Sequence, residues 1–205
     1  MTHTDHPTRL TVGTRAVVGC GRPDANRIRP QPSTTSTPLD SAPVGSLLQI
    51  LPNPQPGNPY PVEDSAHGLR WWYVRTETDL AGWTTETGPK SNHDTSVVYY
   101  LDPVEEPSAC LGALPSRLEM GKLARTTATP TLTLRSDAGT NNTAIIAALV
   151  PGTEVRLVCH KCVAAMVWWF VVVRSGPHQG KMGWVSEGLN KPGDPDHGYY
   201  LEAAR

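Results

Sequence analysis

Phenylalanine occurs once in this chain of 205 residues, and charged residues make up only 18% of it. With 18 Lys and Arg against 19 Asp and Glu, the formal net charge is −1. No basic excess is present to hold a phosphate backbone, so no nucleic-acid partner is expected. Long apolar runs are missing too. The longest, Val163 to Val173 (VAAMVWWFVVV), is too short to cross a bilayer and too aromatic and β-branched for a helix. No membrane span is therefore expected. The opening MTHTDHPTRLTVG has no basic stretch followed by an apolar one, so no secretory leader is visible. A cytoplasmic location follows as the expectation, with secretion or wall association entering only if a leader has been trimmed. Cysteine is sparse: Cys20, Cys110, Cys159 and Cys162 fall far short of the density of a disulfide-stapled mini-domain, and free thiols are expected.

Turn formers are abundant, with 20 Pro and 18 Gly. Such punctuation, with few apolar periods of helical length, reads as short strands joined by turns, an all-β chain. The length suits one large domain or two ordinary ones.

The chain matches itself from end to end. RLTVGTRA (Arg9 to Ala16) lies over RLEMGKLA (Arg117 to Ala124), an offset of 108. NRIRPQP (Asn26 to Pro32) lies over LTLRSDA (Leu132 to Ala138), and VGSLLQIL (Val44 to Leu51) over PGTEVRLV (Pro151 to Val158). WWYV (Trp71 to Val74) lies over WWFV (Trp168 to Val171), AGWTTE (Ala81 to Glu86) over MGWVSE (Met182 to Glu187), and YYLD (Tyr99 to Asp102) over YYLE (Tyr199 to Glu202). All six tryptophans pair in this way, and among the 13 aromatic residues only Tyr60 has no counterpart. Two copies of domain length predict a tandem pair rather than a solenoid. The expected division is a first copy over 9–102, a linker over 103–116 and a second copy over 117–203. In the second copy strands are expected near Gly121 to Thr126, Thr131 to Arg135, Ala144 to Leu149, Glu154 to Cys159, Val167 to Arg174 and Gly183 to Ser186.

These blocks resemble the bacterial Src-homology-3-like (SH3b) domain. The second copy carries the resemblance in Leu132, Leu134 and Arg135, then Pro151, Gly152, Thr153 and Val155, then Trp168, Val171 and Arg174. It ends with Gly183, Trp184 and Val185 and the closing Tyr200 and Leu201. The first copy carries Ile28 and Arg29; Val44, Gly45, Ser46 and Leu48; Trp71, Val74 and Arg75; Gly82, Trp83 and Thr84; and Tyr100 and Leu101. It departs from the pattern by a large insertion, and the second copy by an extra valine before Arg174. The resemblance implies two small SH3-like β-barrels with long loops. It also implies a non-catalytic role: binding a protein partner, acting as a subunit of a larger complex, or targeting peptidoglycan beside a wall hydrolase. No cofactor is implied.

Alternate side chains of a strand face opposite ways. Trp72 is therefore expected to point into the barrel with Val74, and Trp71 to point out with Tyr73. Outward-facing Trp71, Tyr73, Trp168 and Phe170 are expected to be partly covered by the long loops, with the remainder a partner-binding strip, since exposed aromatics mark interfaces. Arg75 and Arg174 flank that strip or form salt bridges on a strand edge. The insertion at 52–70 (PNPQPGNPYPVEDSAHGLR) gives the first copy nineteen positions where the second has nine. Its prolines favour an extended polyproline segment, either a stiff loop or one that docks Tyr60 on an aromatic shelf. The histidines (His3, His6, His67, His93, His160, His178, His197) are placed mainly in loops. His93-Asp94 and Asp196-His197 precede the two Tyr-Tyr pairs and read either as turn residues or as a shared ligand site. CHKC, Cys159 to Cys162, reads as an ordinary turn, as half of a zinc site lacking its other two ligands, or as a disulfide. A metal-dependent regulator built on Cys159 and Cys162 is the third functional reading, after the scaffold and the wall-targeting module.

Overall fold

The computed structural model describes residues 7–20, 25–55, 57–64, 67–91, 94–104, 110–128, 130–193 and 198–204. His3, His6, His93, Asp196 and His197 lie outside them, so the paired His-Asp motifs cannot be placed. The described residues form strands and turns with no helix, hence none long and apolar enough to cross a membrane. Contacts divide the chain into two compact units, Met1–Val104 and Glu105–Arg205.

The first unit contains β1 (Arg15–Val18), β2 (Asn26–Ile28), β3 (Asp40–Ala42), β4 (Leu47–Ile50), β5 (Val62–Asp64), β6 (Leu69–Thr76), β7 (Ala81–Ser91), β8 (Asp94–Tyr99) and β9 (Leu101–Pro103). Its main sheet runs β8-β7-β6-β4-β1-β9, with β5 along part of β6, and β2 pairs with β3 as a separate hairpin. Alternation along β6 places Trp72 and Val74 in a core with Ala16, Val18, Ile28, Leu48, Ile50 and Leu101. Trp71 faces the other way, into a smaller cluster with Leu69 and Trp83 that Tyr60, Val62 and Tyr73 partly cover. One strand thus feeds two apolar layers.

The second unit contains β10 (Leu123–Thr126), β11 (Leu132–Arg135), β12 (Ile145–Leu149), β13 (Glu154–Val163), β14 (Met166–Val173), β15 (Met182–Ser186), β16 (Gly188–Leu189), β17 (Gly198–Tyr199) and β18 (Leu201–Ala203). Its sheet runs β12-β11-β15-β14-β13-β10-β18, beside a short β16-β17 hairpin. Val155, Leu157, Trp169, Val171 and Val185 are fully buried in it. The six expected strands all appear, with one difference in extent. CHKC lies inside β13, where Cys159 pairs with Phe170 and Cys162 with Val167, and the turn falls later at Ala164-Ala165. Both alanines have positive φ (51° and 56°), the left-handed pair that a two-residue hairpin turn requires. His160 consequently sits on a strand, with its ring 5.2 Å from that of Trp169.

Gly82 and Gly183 open the strands that carry Trp83 and Trp184. A Cβ at Gly82 would meet the Arg29 carbonyl at 2.8 Å, and one at Gly183 would meet the Arg135 carbonyl at 2.5 Å. Close backbone crossing requires glycine there.

Candidate functional site

The most buried ionised groups are two glutamates in matching blocks of the sequence. Glu86, at 0% exposure, accepts from Trp72 Nε1 (2.8 Å), from Thr8 Oγ1 (2.8 Å) and from the Arg9 backbone N–H (2.7 Å). Glu187, at 2%, accepts from Trp169 Nε1, Ser116 Oγ and the Arg117 N–H, each at 2.8 Å. The Arg9 guanidinium lies 3.6 Å from the Tyr99 ring centroid and that of Arg117 lies 3.6 Å from Tyr199. Each tyrosine hydroxyl then donates back, Tyr99 to the Pro7 carbonyl and Tyr199 to that of Pro115. A buried carboxylate is tolerable only when such donors replace its water. These donors tie the segment preceding the first strand of each unit to that unit's tryptophan, so the two glutamates act as clamps. Their equivalence was visible in the sequence as AGWTTE over MGWVSE, but three donors from distant segments were not.

The aromatic strip is covered more fully than the partial cover by loops expected from the sequence. Trp71 and Trp168 are each 2% exposed, and Phe170 is buried as well. Tyr73 is half-buried, its ring 5.4 Å from Trp83, as Phe170 is 5.5 Å from Trp184. The cover in the first unit comes from the insertion: Val62 of β5 pairs with Trp71. Tyr60 stands edge-on to Trp72 at 4.8 Å and to Trp83 at 6.3 Å. Its hydroxyl donates to the Leu51 carbonyl and accepts from the Tyr73 N–H at 3.2 Å. The Tyr60–Pro61 peptide bond is cis. The shelf that receives Tyr60 therefore belongs to its own unit. Burial pushes the Tyr60 phenol above its ordinary pKa, against the smaller opposing effect of the Tyr73 backbone hydrogen bond. Arg75 stays exposed and pairs with Asp79 at 3.4 Å, a surface ion pair of small energetic weight. Arg174 is exposed at the end of β14, its backbone N–H bonded to the Glu154 carbonyl.

The cysteines also depart from expectation. Cys110 and Cys162 form a disulfide with Cα atoms 5.4 Å apart. Cys20 and Cys159 are disulfide-bonded as well, so no thiol is free. Cys159 and Cys162 are three apart on one strand and face opposite ways, which prevents them from pairing with each other or chelating one ion. With both sulfurs in disulfides, neither supplies a thiolate to zinc. Among the described residues no group of three or more His, Cys, Asp or Glu is placed to hold a metal.

Among the described residues a cleft of about 660 Å³ lies in the second unit. Leu132, Thr133, Arg135, Trp168, Ser186 and Leu189 are among the residues that line it. It exists because β11 and β15 fork. Arg135 pairs with Trp184, and no further rung joins the two strands among the described residues. Trp168 Nε1 is buried with no hydrogen-bond acceptor. The first unit forks at the equivalent place, after Arg29 and Trp83 exchange hydrogen bonds of 2.8 and 2.7 Å. There Asn26 Nδ2 reaches across and donates to the Thr85 carbonyl at 2.9 Å. Leu132 stands where the sequence match puts Asn26, and it has no donor to offer. No protein-family model and no curated protein matches this chain.

Proposed function

We propose that the chain is a non-catalytic binding or scaffold protein built of two SH3b-like modules, engaging a protein partner or serving as a subunit of a larger assembly. The single observation that carries this reading is the cleft of about 660 Å³ beside Trp168, a size typical of ligand pockets. The indole N–H groups of Trp168 and of its counterpart Trp71 are both buried without an acceptor, so the open fork rather than the indole sets the second unit apart. The buried glutamates support a non-catalytic role, since their oxygens are engaged by structural donors. Isolation of the tagged chain from its native host, with identification of what co-purifies at near-stoichiometric yield, tests the reading. Recovery of the chain alone, together with turnover of any substrate, overturns it.

A second reading, targeting to peptidoglycan, is favoured by the oxidised cysteines. Disulfides persist in oxidising compartments and are rare in the reducing cytosol, so they argue for a site of action outside the cytoplasm. Co-sedimentation with purified peptidoglycan selects this reading over the protein-partner one.

A further inference from the structure

In an antiparallel ladder the backbone groups that point across toward a given neighbour recur at every second residue. Arg135 faces Trp184. Two residues further along each strand, Thr133 and Ser186 therefore turn their N–H and C=O groups toward one another, yet they do not pair. The cleft lies between them. In the first unit the carbonyl in the position of Ser186, that of Thr85, is taken by Asn26. In the second the Ser186 hydroxyl turns away and donates to the Gly188 carbonyl at 3.0 Å. Two unzipped strand edges and apolar Leu132 and Leu189 thus converge on one space, which Trp168 also lines.

We propose that this cleft takes an extended peptide, which adds as a strand to the open edges at Thr133 and Ser186. An apolar side chain lies against Leu132 and Leu189, and a peptide carbonyl takes the Trp168 indole N–H, which is closed to water in the free chain and is reached only as the peptide seats. Main-chain hydrogen bonds supply affinity in this mode, and alternate side chains supply selectivity. Arg135 is the ionised side chain of the lining, held at the rim by Thr143 Oγ1 at 3.2 Å, so neutral or acidic peptides bind better than basic ones. The proposal rests on the binding role stated above and names its ligand chemistry.

The test uses the full, oxidised, ¹⁵N-labelled chain and three blocked hexapeptides of alternating Thr and Val. One is neutral, one has a central Glu and one a central Lys. Saturable shifts of the Trp168 indole and the Thr133 and Ser186 amide signals are expected, with the Glu peptide binding several-fold tighter than the Lys peptide. Trp168→Phe, which removes the donor and keeps an aromatic ring, should weaken binding about five-fold. Thr131 is exposed at the cleft rim, and Thr131→Tyr should weaken it at least ten-fold by obstruction, which keeps the test decisive if Trp168→Phe does not fold. Signals that stay in place at millimolar peptide, or that move only outside the cleft, overturn the proposal. Soluble peptidoglycan fragments that bind where peptides do not also overturn it and leave the wall-targeting role standing. The broader binding role falls only if the native-host isolation and the peptidoglycan sedimentation fail as well.

Discussion

The two units hold the same clamp and treat the space around it differently. Glu86 and Glu187 each gather an indole, a hydroxyl and a backbone N–H with nearly superimposable distances. Beyond that point Tyr60 enters the second aromatic layer of the first unit and Asn26 bridges its fork. The second unit leaves the fork open and ties its surface with the Cys110–Cys162 disulfide. The donors around the two glutamates match, whereas the residues at the two forks differ.

The largest test of this contrast is removal of the clamps. Glu86→Ala and Glu187→Ala each strand a buried indole donor and two partly buried ones, and each should cost its own unit about 3 kcal/mol. Hydrogen exchange resolved by unit reads the loss, and equal losses support equivalence, whereas a silent Glu86→Ala would break it. Next is the disulfide. Cys110 and Cys162 are 52 residues apart, and closing a loop of that length stabilises by about 4 kcal/mol at most on chain-entropy grounds, with 2–4 kcal/mol the usual yield. Cys110→Ser with Cys162→Ser should therefore lower the denaturation midpoint of the second unit and leave the first unmoved. Gly82→Ala and Gly183→Ala should each cost about 1–3 kcal/mol through overpacking at the strand crossing, measured by urea denaturation.

The two smallest effects concern the first unit alone. Tyr60→Phe removes a donor and an acceptor, at about 1 kcal/mol. Because folding raises the phenol pKa, this contribution is full below the unfolded value near pH 10 and disappears as the pH climbs through the folded value. Wild type should lose stability in that alkaline window and Tyr60→Phe should lose less, in denaturation curves taken at successive pH. Asn26→Leu, which copies the residue of the second unit, should cost up to about 1 kcal/mol and expose the Thr85 carbonyl. The Thr85 carbonyl resonance shift on substitution checks it.

Much of this was legible in the sequence, for a physical reason. Strand alternation placed Trp72 and Trp169 inward because a period of two needs no knowledge of the rest of the chain. Tyr60 stood out as the one aromatic without a counterpart, and the structure gives it a place peculiar to the first unit. What could not be read was whatever depends on segments meeting from afar. The cover over Trp71 comes from an insertion with no strand pattern, and the partner of Cys162 lies in a segment expected to be a linker. Two of the three donors on each glutamate come from 70 or more residues away. The cleft was invisible for a related reason, since it arises from a rung that two recognisable strands fail to form.

The Cys110–Cys162 bridge has a further effect on how the second unit withstands proteases. A single backbone cut anywhere between those two residues leaves both pieces covalently joined, each still holding its own strands in the sheet. The nick appears on a gel only after reduction.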